Sequence, residues 1–225
     1  MTRLYRFRFA LLLVCCGATN PAHANLAREL TFKVWLDEQP VGAHAVHIQR
    51  DELSELTVTS RVEFKVKILF ATVFDYQHTA HEQWRGDCLA QFESSTRSNG
   101  KTTHLTGQTT EQTFTLQHRT GRQAPATRDL GACVGTYAYW DLQRLDRAML
   151  MNTQTGELEP ARLRSNGLKP IPRLRKSANA YALETSAGEI LLWYSDAGEW
   201  LALETTTRGK QLVYLNESLL DAEIR

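Results

Sequence analysis

Between Leu56 and Ile68 the chain alternates between apolar and polar residues almost without error. Leu56, Val58, Ser60, Val62, Phe64, Val66 and Ile68 share one parity; Thr57, Thr59, Arg61, Glu63, Lys65 and Lys67 share the other. Side chains change face at every residue only on an extended chain. The segment therefore reads as a half-buried antiparallel strand, long enough to bend through a curved sheet.

The same period recurs along the chain. Phe32, Val34 and Leu36 alternate with Thr31, Lys33 and Asp37, and Gln39-Pro40-Val41-Gly42 reads as a turn into a strand over 43–49. Asn99-Gly100, a pair in which both residues tolerate positive φ, separates extended segments over 89–98 and 101–108. Thr155-Gly156, Ala187-Gly188, Ala197-Gly198 and Arg208-Gly209 set further turns, with strands expected over 189–195, 199–207 and 211–215. The best helical segment is 141–149, with Asp141 as N-cap and Leu142, Leu145 and Met149 on one face. Residues 119–131 read as a long crossing loop. The expected fold is all-β and mainly antiparallel: an open or incomplete β-barrel, or strongly curved sheet, with one or two short helices.

Residues 1–24 predict a cleavable secretory signal peptide. Arg3, Arg6 and Arg8 precede an apolar run over 9–16, and Ala22-His23-Ala24 supplies a small-x-small cleavage site. The run is too short to span a bilayer, which takes ~20 residues. Val14 and Cys15 precede Cys15 and Cys16, whereas lipidation needs a small residue there, so cleavage after Ala24 is the better reading. This implies a periplasmic protein of one domain over 25–225. Cleavage removes three arginines and no acid, taking the formal net charge from +1 to −2. That balance argues against nucleic acid as a partner, since nucleic-acid binding needs a strong basic footprint. Cys88 and Cys133 remain, and an oxidising compartment favours a disulfide between them; two buried free thiols are the alternative.

Residues 74–85 carry the most chemistry. Their alternation puts Phe74, Tyr76, His78, Ala80, Glu82 and Trp84 on one face, a mostly apolar surface with a phenol, an imidazole and a carboxylate. A ligand cavity has this composition, and so does a satisfied polar network inside a sheet. Positions four apart on a strand are separated by roughly 13 Å, so His78 and Glu82 do not share one metal ion or proton without a bulge. The sequence has no nucleophile elbow, phosphate loop or paired-cysteine metal spacing, and no cofactor or metal is expected. Residues 68–74 break the alternation with an apolar run, read as a bend in the core or a hydrophobic lip that touches membrane or acyl chain. Six cations between Arg162 and Lys176 lie in a stretch free of acids from 160 to 183, a solvated face or a dock for anionic groups.

Several segments, taken in order, form a pattern. They are Val34-Trp35-Leu36-Asp37 with Val41-Gly42, residues 62–67, Tyr76-Gln77-His78 with Glu82 and Trp84, and Asp87-Cys88-Leu89. Asn99-Gly100, Tyr137-Ala138-Tyr139-Trp140-Asp141, Asn152-Thr153-Gln154-Thr155-Gly156, Leu192-Trp193-Tyr194 and residues 200–204 follow. The order resembles an uncharacterised family of exported bacterial proteins, a domain of unknown function. The resemblance spans nearly all of the mature chain and brings no activity with it. At the level of fold alone it is similar to the open barrels of periplasmic lipoprotein carriers.

These readings favour non-catalytic binding of an apolar or amphipathic molecule, lipid or acyl-like, in a concave sheet. The expected lining is Phe64, Phe74, Tyr76, His78, Trp84, Trp140 and Trp193, with His78 and Glu82 orienting the ligand. An envelope interaction or assembly factor, with peripheral membrane or protein contacts, is the alternative, and an enzyme ranks third.

Overall fold

The computed structural model describes residues 26–51, 55–68 and 71–223. The expected signal peptide, 1–24, lies outside them, as do Leu69 and Phe70 at the centre of the expected lip. The first half is a meander in which each strand pairs with the next: β1 (Leu26–Leu36), β2 (Gln39–Arg50), β3 (Leu56–Ile68), β4 (Ala71–Arg85), β5 (Cys88–Ser98), β6 (Lys101–Thr109), β7 (Phe114–Thr120) and β8 (Ala126–Asp129). The chain then crosses through a one-turn helix, α1 (Leu142–Leu145), to the opposite edge. It returns as β9 (Met149–Met151), β10 (Leu158–Pro170), β11 (Ser177–Thr185), β12 (Gly188–Tyr194), β13 (Trp200–Thr207) and β14 (Lys210–Asn216). β14 docks beside β1, with Phe32 opposite Asn216 and Leu36 opposite Leu212. The result is a single antiparallel sheet that does not close, with β8 and β9 at its edges and β1 in its interior. A short helix, α2 (Glu217–Glu223), ends the described chain.

The alternation of β3 survives intact through Val66, with Leu56, Val58 and Val62 buried on the concave side and Thr57, Arg61, Glu63 and Lys65 outside. Phe32, Phe114, Leu105, Leu116 and Trp200 complete the main core, each fully buried apolar side chain contributing ~1.5–3 kcal/mol. A second cluster lies on the convex side, where Trp193, Ile171 and Leu215 are covered by Leu219 and Leu220 of α2.

Three sequence expectations are corrected. The first hairpin turns at Asp37-Glu38, two residues earlier than expected, because Asp37 takes the left-handed conformation (φ 51°). Pro40 lies inside β2 opposite Trp35, where the ladder shifts register and a missing N–H is tolerated. Gly42 belongs to the strand because a Cβ there would stand 1.8 Å from the Glu63 carbonyl oxygen. The helix expected over 141–149 lasts one turn: Asp141 caps it by accepting from Gln143 N at 3.1 Å, Asp146 leaves helical geometry, and Met149–Met151 pairs with Leu158–Pro160. Residues 119–131 contain the end of β7 and all of β8, so the crossing is made instead by 130–148. Finally, the basic stretch covers most of β10 and the turn after it, where Arg164 pairs with Glu184 and Arg173 with Glu38.

The crossing segment seals one end of the sheet. Leu89 N donates to Val134 O at 2.9 Å, Met151 N donates to Gly135 O at 2.7 Å, and a disulfide joins Cys88 to Cys133. Arg144, almost fully buried, places its guanidinium 4.7 Å from the Trp84 ring centre and 5.5 Å from that of Trp140. It also donates to Asp141 and to the Gly86 carbonyl, so its charge is fully engaged. Across the seam, Arg128 reaches from β8 to Glu157 at 2.7 Å and to Gly156 O at 3.0 Å.

Candidate functional site

The concave face encloses a cavity of about 720 Å³. That size falls within the usual range for small-molecule sites. Its walls come from both meanders. β2, β3 and β4 contribute alternate residues such as Val46, Val62 and Phe64; β12, β13 and β14 contribute Ile190, Leu203 and Tyr214. The mouth lies at the hairpin ends that carry Asn99, Ala187 and Arg208, and Tyr139, Trp140 and Trp200 stand at the sealed end.

Six of the expected lining residues meet here: Phe64, Phe74, Tyr76, His78, Glu82 and Trp140. Phe64 and Phe74 stack on Tyr76 with ring centres 5.5 and 6.0 Å away, and Phe64 meets Tyr214 edge-on at 6.0 Å. Two expected residues do not line the cavity. Trp84 continues the inward face of β4 past the cavity floor into the core, against Trp140 and Arg144. Trp193 belongs to the opposite face of β12, under α2, because Ile190, Leu192 and Tyr194 take the inward parity. Both faces of β12 are apolar, so alternation alone does not distinguish them.

Five aromatic or imidazole residues missed in the sequence complete the wall: His44, Tyr137, Tyr139, Trp200 and Tyr214. His44 shares the parity of Val46 and Ile48 on β2, and Tyr214 that of Leu212 on β14, so their orientation was readable once the strands were placed. Tyr139 lies on the irregular crossing segment, where no period betrays direction.

The polar groups on the wall are largely satisfied from within. His78 Nδ1 bonds Thr96 Oγ1 at 2.9 Å and its Nε2 bonds Thr153 Oγ1 at 3.2 Å, joining β4 to β5 and to the β9–β10 turn. Burial lowers its pKa to about 4, so the ring is neutral at pH 7. His44 Nε2 bonds Ser60 Oγ at 2.8 Å, while Nδ1 is buried without a partner among the described residues. Burial, with the charge of His78 as a smaller cause, lowers its pKa to about 3. Glu82 accepts from Trp84 Nε1 at 2.9 Å and from Thr136 Oγ1 at 3.0 Å. Burial nevertheless raises its pKa to about 7, outweighing these two bonds and the attraction of Arg144. Glu159 accepts from Tyr137 at 2.6 Å and from Asn152 at 3.0 Å. No described hydrogen bond involves the hydroxyl of Tyr76, Tyr139 or Tyr214.

Ser60 and His44 are the pair nearest to a nucleophile and its base. The ring of His44 packs against Phe32, Trp200 and Tyr214, and no acceptor meets Nδ1 to stabilise an imidazolium. A base in nucleophilic catalysis needs that support, so the contact reads as a structural bond. Among the described residues no group of three His, Cys, Asp or Glu is placed to hold a metal ion. The wall is mainly aliphatic and aromatic, with its imidazoles and carboxylates held by neighbouring protein groups.

Comparison with known proteins agrees with this fold. One of the matching solved structures is a beta-barrel-like protein of Domain of Unknown Function DUF1849 from Brucella abortus. It shares 12% identity, covering 84% of this chain and 94% of its own, with a TM-score of 0.57. At that identity the likeness concerns the fold alone. No curated protein matches the chain. Residues 32–216, from the first core strand to the end of β14, match the model of one family, so the chain belongs to the Domain of unknown function (DUF6134) family.

Proposed function

We propose that this protein is a periplasmic, non-catalytic carrier or receptor for an apolar or amphipathic molecule, held in the cavity of its curved sheet. The observation behind this reading is the cavity itself: about 720 Å³, walled mainly by aliphatic and aromatic side chains and sealed at one end. Burying a lipid chain there gains ~0.8 kcal/mol per CH₂ group removed from water. The imidazole of His78 and the carboxylates of Glu82 and Glu159 are bonded to protein neighbours, so an apolar body does not strand them, and the hydroxyls of Tyr76, Tyr139 and Tyr214 remain for the polar part of an amphipathic one. The Cys88–Cys133 bridge is compatible with an exported protein, and the signal segment supplies the address.

Native mass spectrometry of protein released directly from the periplasm tests the reading. A co-purifying mass that disappears after organic extraction, and returns on exposure to a lipid panel, is the expected result. Protein that is uniformly empty and unresponsive to the panel refutes it.

One observation favours the alternative of an envelope interaction factor. Beyond Pro160 the outer edge of β10 pairs with no described strand, and Leu168 on that edge is 72% exposed. A stoichiometric protein adduct through residues 162–176 on crosslinking in cells, without any co-purifying small molecule, would select that reading.

A further inference from the structure

Four charged residues line the cavity: Glu82, Glu159, Arg208 and Lys210. Three are already engaged. Glu82 is bonded by Trp84 and Thr136, and Glu159 by Tyr137 and Asn152. Lys210 Nζ donates to Asp37 Oδ2 at 2.7 Å, and this bond is the main reason the Asp37 carboxyl stays below its ordinary pKa. Arg208 has no ion-pair or hydrogen-bond partner among the described residues.

The position of Arg208 is built. It occupies the β13–β14 turn in the left-handed conformation (φ 50°), ahead of Gly209, at the mouth of the cavity. Asn99 lies on the rim of the same cavity, at the β5–β6 turn of the other meander; its Oδ1 accepts from Asp75 N at 3.0 Å, leaving its amide NH₂ as a further donor. The interior has no cation to compete with this rim. His44 and His78 are uncharged at pH 7, and the buried Arg144 sits behind the floor between two tryptophans. The cavity is thus polarised, with a neutral aromatic interior and one uncommitted positive charge at its opening.

We infer that the ligand is a single-chain amphiphile with one oxyanionic headgroup, a carboxylate or a phosphate monoester, held at the mouth by Arg208 with its chain directed toward Trp140 and Trp200. This rests on the binding function proposed above and specifies its chemistry. It also reassigns the orienting role expected of His78 and Glu82, whose polar atoms are occupied by neighbouring protein groups. An arginine fork matches the planar or tetrahedral oxygens of such a head with two charge-assisted bonds, whereas an alcohol accepts one uncharged bond and a quaternary ammonium is repelled.

The test is a fluorescence titration of the delipidated mature protein, read through Trp140 and Trp200 on the cavity wall. The probes are decanoate, decyl phosphate, decan-1-ol and decyltrimethylammonium at low ionic strength. Decanoate or decyl phosphate should bind about fivefold more tightly than decan-1-ol, the upper range for an exposed ion pair. Arg208→Asn, which places a residue tolerant of the left-handed turn there, should abolish that preference, bringing the affinities for the two anions down to that for decan-1-ol. Whichever of the two anions binds more tightly identifies the headgroup. Equal affinity for decanoate, decyl phosphate and decan-1-ol, or a preference that survives Arg208→Asn, overturns this inference while leaving the cavity a binding site. Failure of all four probes to bind overturns the inference and the proposed function together.

Discussion

Replacing Glu82 by glutamine should make the protein more stable at alkaline pH and alter its pH profile in a calculable way. The carboxyl is fully buried and accepts from Trp84 and Thr136, and it titrates near 7 instead of the ordinary 4.5. An acid whose pKa is raised on folding holds its proton more tightly in the folded state. Its contribution to stability is complete below pH 4.5 and is lost as pH rises to 7. Integrating between about pH 5.5 and 8.5, this one group costs ~2 kcal/mol. Glutamine fits the same site: its carbonyl oxygen accepts from Trp84 Nε1, and its NH₂ donates to Thr136 Oγ1 after the hydroxyl rotates. The assay is urea denaturation of both proteins at the two pH values. All other titrating groups are common to the pair and cancel in the difference. The stability gap between Glu82→Gln and the native protein should shift by ~2 kcal/mol in the variant's favour on going to the higher pH. A gap that does not change with pH would show that Glu82 is ionised throughout, and that Arg144 and the two donors outweigh its burial.

The histidines have the opposite sign. Held neutral by burial at about 4 and 3, His78 and His44 contribute stability that is complete above 6.5 and lost as pH falls toward those values. His78→Gln, which retains bonds to Thr96 and Thr153, should recover ~2 kcal/mol of the loss between pH 7 and 5, seen as a shallower fall in melting temperature. Reducing the Cys88–Cys133 bridge, which spans 45 residues, should lower stability by up to about 4 kcal/mol, and alkylation of the unreduced, denatured chain should label neither cysteine. Gly42→Ala should cost several kcal/mol or prevent folding, because the new Cβ would stand 1.8 Å from the Glu63 carbonyl oxygen and must push β2 from β3; a change below about 1 kcal/mol in denaturation midpoint would refute this.

The parts of the fold legible in the sequence are those in which one face meets water. β3 and β4 sit between a polar exterior and an apolar interior, so Leu56 through Val66 and Phe74 through Trp84 declare their direction residue by residue. The hairpin at Asn99-Gly100 is readable because both residue types tolerate positive φ, and the one at Arg208-Gly209 from its glycine alone; the structure places Asn99 and Arg208 at φ 48° and 50°. Legibility fails where a second layer covers the outside. Trp193 looked like cavity lining because nothing local reveals that α2 brings Leu219 and Leu220 against the convex face. It fails again on the crossing segment, where Thr136, Tyr139 and Arg144 are oriented by distant partners on β4, β12 and the β4–β5 turn. β10 was missed because an edge strand carries charge on the positions that a central strand keeps apolar.

The place of β1 in the sheet sets a schedule for making the protein. Its partner on one side, β2, follows immediately, but its partner on the other side, β14, is the last described strand, with Phe32 opposite Asn216. The pairing can form only once every intervening strand of the sheet has emerged. Until then the molecule is two separate meanders. β1, among the most deeply buried strands in the finished sheet, stands as an exposed edge with Phe32 and Val34 uncovered. A chain interrupted before Lys210 would stay in that state, with a nascent edge that any extended segment could occupy. Addition of β14 is therefore the step that turns a sticky intermediate into a sealed product, and loss of β14 should appear as aggregation rather than as loss of a single contact.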